Sequence, residues 1–177
     1  MRKFILFLLV GYLMSGHQVL AKQSPPSEQI GSWKYSIIYD KMTDDPSYII
    51  TVGSSDDSGA LKLVCNPATK SVNASQDYYF GTSEFAGFGT TDEKRETQYR
   101  VDEKPRVLQN WSFQNIKKLF YFSANSNAQR LSLVENLKGG KVVLAQLRKY
   151  DGGIISLEFD ITGFDEAYEK LKKACHL

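Results

Sequence analysis

From Ile154 to Asp160 apolar and polar residues alternate without a break. Ile155, Leu157 and Phe159 fall on one side with Ile161 beyond them, and Ser156, Glu158 and Asp160 fall on the other. A period of two marks a strand with one buried and one wet face. After Thr162-Gly163 the period lengthens to that of a helix, with Phe164, Ala167, Tyr168 and Leu171 on one side. Asp165 and Glu166 occupy its first turn and Lys170, Lys172 and Lys173 its last, which complements the helix dipole at both ends.

The same two periods organise the rest of the chain. Trp33, Tyr35, Ile37 and Tyr39 alternate with Lys34, Ser36 and Ile38 and open the first strand. Tyr48 to Val52 predicts a second. The polar loop Gly53 to Gly59 then leads into Leu61, Leu63 and Cys65, which share a face opposite Lys62 and Val64. Val72 to Phe80 predicts a weaker strand. Gly81 to Glu96 is a long loop rich in glycine, threonine and charge, with Phe85 and Phe88 isolated within it.

Gln98 to Asp102 predicts a strand with Tyr99 and Val101 on one face and Gln98, Arg100 and Asp102 on the other. Val107 to Phe113 follows, with Trp111 and Phe113 on one side, and then Leu119 to Phe122. Asn125 to Leu137 predicts a helix capped by Asn125 or Ser126, with Ala128, Leu131 and Val134 on its apolar face and Gly139-Gly140 as its stop. Lys141 to Leu147 is strongly β-prone, and Asp151-Gly152-Gly153 should turn it into a hairpin with the Ile154 strand.

Eight or nine short strands, one mid-chain helix and one C-terminal helix predict a mainly β (α+β) fold. The expected form is an antiparallel β-sandwich or bent sheet with the helices at an edge. Residues 31–177 suit a single domain of this kind.

The first residues read differently. Arg2 and Lys3, the apolar run Phe4 to Met14 and the small-residue pattern ending at Ala21 have the layout of a secretory signal peptide over residues 1–21. Lys22 to Ile30, with Pro25 and Pro26, reads as a flexible leader. No second run of spanning length follows, so the chain is expected in the periplasm or secreted, with no integral membrane segment after cleavage. Of 22 basic residues, the leader peptide removes Arg2 and Lys3, leaving 20 against 20 acidic ones. A domain of zero net charge exerts no long-range pull on nucleic acid or an anionic membrane.

Cys65 and Cys175 are the chain's two cysteines, and in an exporting context they are expected to pair. After cleavage the one remaining histidine is His176, beside the chain end, which leaves little for a serine or cysteine triad or a multi-histidine metal site. No nucleophile-elbow, P-loop or dinucleotide-binding motif occurs, and neither metal nor cofactor is implied. Carboxylates are the remaining catalytic class. Asp102 with Glu103, or Glu158 with Asp160, could make a glycosidase-type pair, although strand carboxylates of this kind ordinarily face solvent. Asp56 and Asp57 lack the spaced oxygen ligands of a calcium loop. Arg100 and Asp102 project side by side and offer either an ordinary surface pair or a polar contact site. Trp111 is either core or interface anchor. Asn73 and Asn110 match the glycosylation pattern by chance in what reads as a bacterial chain.

Trp33, L-K-L-V-C at 61–65, Y-R-V-D at 99–102 and Trp111 together resemble small exported proteins of Gram-negative bacteria, in particular the type VI secretion-associated periplasmic proteins TagO and VasI. L-K-G-G at 137–140, a strand, and F-D-I-T-G-F-D-E-A at 159–167 resemble the envelope proteins of the invasion-associated locus B family. Both resemblances imply a β-rich domain outside the inner membrane that acts through protein contacts, and carry Cys65, Tyr99, Arg100, Asp102 and Trp111 as the residues to watch. The expected function is a non-catalytic interaction or accessory protein, linked to secretion or host association, with another envelope or secreted protein as partner. Two alternatives stand beside it. One is an exported enzyme inhibitor or immunity protein that inserts the protruding 81–96 loop into a partner's cleft, whereas the expected interaction protein uses a patch around that loop, with Phe85 and Phe88, and Arg100. The other is a carboxylate-dependent hydrolase of envelope glycans.

Overall fold

The computed structural model describes residues 22–68, 71–79, 93–116, 119–123, 126–148 and 153–177. Ten strands and two helices follow one another as β1 (Glu28–Ile30), β2 (Trp33–Tyr39), β3 (Pro46–Gly53), β4 (Gly59–Asn66), β5 (Ser71–Tyr79), β6 (Glu93–Val101), β7 (Val107–Ile116), β8 (Leu119–Ser123), α1 (Asn127–Leu137), β9 (Val142–Arg148), β10 (Ile154–Asp160) and α2 (Phe164–Cys175). The expected mainly β fold, with one helix mid-chain and one at the C-terminus, is the one observed. Glu28–Ile30, at the end of the segment read as a leader, instead pairs with β2 as β1 and buries Ile30.

All neighbouring strands run antiparallel, in the order β1-β2-β3-β4-β5-β8-β7-β6-β9-β10. Strands β1 to β5 form a simple meander. The chain then starts again at β6, folds back through β7 and β8 to meet β5, and crosses to the far side of β6 for β9 and β10. Helix α1 makes that last crossing. Its 11 residues span roughly 16 Å of axis, which matches the roughly 14 Å of three strand spacings from β8 to β9.

The sheet is bent enough that its two halves face each other, and β10 packs against β3 and β4. The closure is hydrogen-bonded. Ser55, in the β3–β4 turn, donates its backbone N–H to Glu158 O (2.9 Å), and Ser32 donates its own to Thr162 O (2.8 Å). Trp33 Nε1 donates to Ile161 O at 3.2 Å in the buried interior. The enclosed core holds Trp33, Ile50, Leu61 and Leu63 from one half and Tyr99, Trp111, Val143, Leu157 and Phe159 from the other.

Helix α2 closes the side of β1 to β4, burying Phe164, Ala167, Tyr168, Leu171 and Cys175 as its period predicts. The Phe164 ring lies 5.3 Å from that of Trp33. Cys175 reaches β4 and is bonded to Cys65 across a Cα separation of 6.2 Å, with both residues fully buried. The bridge therefore staples the last helix to an early strand, as the cysteine count implies.

Helix α1 departs from its expected face. Ser126 caps it in a capping box with Gln129, and Gly139 at φ 66° supplies the stop. The buried residues, however, are Leu133, Val134 and Leu137, while Ala128 is exposed and Leu131 is 52% exposed. Two apolar stripes share Val134, and the one ending at Leu137 wins because Leu137 sits where the chain turns into β9.

Candidate functional site

The outward faces of β7, β6, β9 and β10 form a continuous surface. Register places Leu108 opposite Gln98, Gln98 opposite Gln146 and Gln146 opposite Ser156, a single row across four strands. The next row sets Arg100 beside Leu144, with Glu158 beyond it. Alternation decides the facing: Gln98 and Arg100 point outward because Thr97, Tyr99 and Val101 fill the core.

The polar groups of the first row are joined in one direction. Arg106 Nη1 donates to Gln98 Oε1 (3.0 Å), Gln98 Nε2 to Gln146 Oε1, and Gln146 Nε2 to Ser156 Oγ (3.0 Å). A guanidinium has no acceptor, so Arg106 must meet the oxygen of Gln98. That turns the Gln98 NH₂ toward Gln146 and dictates the orientation of the next amide in the same way. These residues, with Arg100 and Leu144, line a shallow open groove of about 450 Å³. Leu144 (39% exposed) lines it, Leu108 (54%) faces Gln98 in the same row, and Ile154 (53%) lies next to Gln98, Gln146 and Glu96, all three aliphatic side chains open to solvent.

The residues that sequence patterns single out are not all on this surface. Arg100 is, and is exposed. Tyr99 is 1% exposed on the opposite face of β6, where burial raises its hydroxyl pKa. Trp111 is fully buried, with Nε1 donating to Gln109 Oε1 at 2.8 Å, and so belongs to the core. Asp102 does not extend the strand beside Arg100. It takes a left-handed conformation (φ 47°) just past β6, and its carboxylate accepts the N–H groups of Lys141 and Val142 (3.1 and 2.9 Å). Those backbone donors hold its carboxyl below the usual range, with Lys104 and Lys141 adding to the effect. It is a tie between the end of β6 and the start of β9. Phe85 and Phe88 lie outside the described residues.

Arg106, Gln98, Gln146, Ser156 and Leu144 carry the groove, and sequence patterns mark none of them as functional. Amides and a serine on a wet strand face are ordinary. Only the pairing of β6 with β9, strands separated by two others and a helix in the chain, brings them into one row.

The carboxylates named for acid–base work stand apart. Asp102 is tied to β9, Glu103 is exposed in the turn after it, Glu158 points outward from β10, and Asp160 accepts the N–H of Thr162 at 2.9 Å. Among the described residues no carboxylate lines the groove, and Glu96 lies beside it next to Gln98, Gln146 and Ile154. Among the described residues there is no group of three or more metal-ligating side chains. Thr97 Oγ1, Tyr99 Oη and Arg130 Nε are buried polar atoms on β6 and α1 without a protein hydrogen-bond partner among the described residues.

No protein-family model matches the chain, and no curated protein matches it either. Solved structures are more informative. The crystal structure of invasion associated protein B from Bartonella henselae superposes with a TM-score of 0.57 at 13% identity, over 86% of this chain and 100% of that one. The two share a fold. The likeness agrees with the resemblance of residues 137–140 and 159–167 to the invasion-associated locus B family, while the resemblance to TagO and VasI gains no support.

Proposed function

We propose that this is an exported, non-catalytic binding protein of the bacterial envelope that holds another envelope or secreted protein on the outer face of β7, β6, β9 and β10. The observation that carries the reading is the groove itself. Exposed aliphatic side chains stand beside a polar row whose acceptor oxygens already face donors, a composition suited to contact, and among the described residues no acid lines the groove. An aliphatic patch rimmed by polar groups is a common mark of an interaction surface.

Export is supported by the charged-then-apolar N-terminal run and by the buried Cys65–Cys175 bridge, since such bridges form and persist in oxidising compartments. Among the described residues no helix is long and apolar enough to cross a membrane. The fold likeness to invasion associated protein B favours a part in host association over one in secretion machinery. Absence of turnover is supported by the dispersal of Asp102, Glu103, Glu158 and Asp160 and by the exposed position of His176 at the end of α2.

Site-directed photo-crosslinking in cells that make the protein tests this. A crosslinker replacing Leu144 should trap one discrete protein in the envelope fraction, and the same group replacing Lys34, on the outer face of the other half-sheet, should not. No product from position 144, or the same products from both positions, overturns the reading.

A further inference from the structure

The groove has a chemical preference that goes beyond protein binding in general. We propose that it recognises a carboxylate side chain on an extended, partly aliphatic peptide segment, held between Arg100 and Arg106. The inference rests on the binding role above and names the chemistry of the partner.

The first argument is position. The β6–β7 ladder ends where Tyr99 faces Val107, so Arg100 and Arg106 stand one position past its last pair, and both line the groove. Like charges placed opposite one another weaken a strand pair. Neither arginine has an acidic partner among the described residues. Among the described residues Arg106 bonds Gln98 Oε1, and both arginine side chains are exposed. A single carboxylate placed between them would turn that repulsion into attraction, and a guanidinium fork matches its geometry.

The second argument is the hydrogen-bond inventory. The two amide oxygens in the row, on Gln98 and Gln146, each already accept a bond, as does Ser156 Oγ. Each of these oxygens keeps one lone pair, but the donors left outnumber them: the rest of both guanidinium forks, the second N–H of each amide and the serine proton. A donor-rich groove with no carboxylate among its described lining residues favours a ligand rich in acceptors. Glu158 stands beyond Leu144, two strand spacings or roughly 10 Å from Arg100. It gives the surface a basic end and an acidic end and sets the direction of a bound segment.

The third argument selects a peptide over a phosphate or a polyanion. Leu108, Leu144 and Ile154 give the ligand aliphatic side chains to cover. The row from β7 to β10 is roughly 14 Å long, the length of about four extended residues. With basic and acidic residues otherwise in balance, the chain offers no broad field for a polyanion.

The test uses the oxidised protein and the blocked tetrapeptides acetyl-Leu-Asp-Leu-Glu-amide and acetyl-Leu-Asn-Leu-Gln-amide, followed by ¹⁵N-resolved NMR. The acidic peptide should shift the Arg100 and Arg106 Nε resonances and the side-chain amides of Gln98 and Gln146. The neutral peptide should bind about ten-fold or more weakly, and added salt should weaken the acidic one. Arg100→Gln with Arg106→Gln should abolish the difference between the peptides while leaving the thermal midpoint unchanged or raised, because the like-charge contact is gone. Equal binding of both peptides, shifts confined to Lys34 and Lys62 on the other half-sheet, or inorganic phosphate competing as well as the acidic peptide would each overturn the proposal. If these fail while a crosslinker at position 144 still traps a discrete protein, the binding role stands and only the carboxylate preference falls.

Discussion

Gly31 and Gly163 meet backbone to backbone: a Cβ built on either would lie 2.9 Å from the Cα of the other. This contact joins the β1–β2 turn to the β10–α2 turn, and beside it Ser32 bonds Thr162 O. Both glycines also hold positive φ, 56° and 87°, which side chains rarely adopt. Gly31→Ala would bring its methyl within 2.3 Å of Thr162 O. Either alanine variant should lower unfolding free energy by about 2–4 kcal/mol through clash and backbone strain together. Urea unfolding measures it, and a midpoint equal to that of wild type would show that the two turns are free to part.

The Cys65–Cys175 bridge spans 110 residues of sequence. Loop-closure entropy values such a link at roughly 4–5 kcal/mol. Cys65→Ser with Cys175→Ser, or reduction under denaturing conditions followed by refolding, should cost stability of that order. A thermal midpoint that does not move on loss of the bridge would mean that the core alone holds α2 in place.

The face of α1 is separable by two substitutions. Leu133→Ala, at a fully buried position, should cost about 2–5 kcal/mol, whereas Leu131→Ala, at a half-exposed one, should cost less than about 0.5 kcal/mol. Chemical denaturation of the pair distinguishes the observed packing from the stripe that sequence spacing suggests.

Acid should weaken the fold over a defined range. The Asp56 carboxyl is held down to about 2, first by the Ser54 hydroxyl and then by the hydroxyl and N–H of Ser58. Asp40, Asp102 and Asp160 are also held below the ordinary carboxylate range, chiefly by backbone N–H donors. A carboxyl whose folded pKa lies below its unfolded value contributes stability that is complete above about pH 4. That contribution is lost as pH falls through the folded value, here toward 2. Urea midpoints should therefore drop between pH 4 and 2, and Asp56→Asn should flatten the lower part of that decline. Parallel curves for the two proteins would assign the acid sensitivity elsewhere.

Asp102 makes its tie through two backbone donors and a left-handed backbone, and asparagine can supply a similar acceptor in that conformation. Asp102→Ala should speed hydrogen exchange at the Lys141 and Val142 amides, and Asp102→Asn should do so far less. Equal exchange in both variants would show that β9 starts where it does without this carboxylate.

Much of the architecture was written in short-range patterns. Alternation alone assigned the inward residues of β2, β4 and β10, and the longer period assigned every buried residue of α2 that it named, because one wet and one dry face leave little choice of register. A pair of cysteines told which distant segments would meet. What the patterns could not convey was adjacency between strands far apart in the chain. The choice between two apolar stripes on α1 was made by where β9 begins. The placement of Trp111 and Tyr99 in the core rather than on a surface was decided by which sides of β6 and β7 turn inward. The row Arg106, Gln98, Gln146 and Ser156 has no signature in one dimension, since its members are unremarkable outward-facing residues on four separate segments. Folding the sheet so that β9 lies against β6 puts their donors and acceptors within hydrogen-bond reach, and that long-range pairing is a property of the closed core, not of any local stretch.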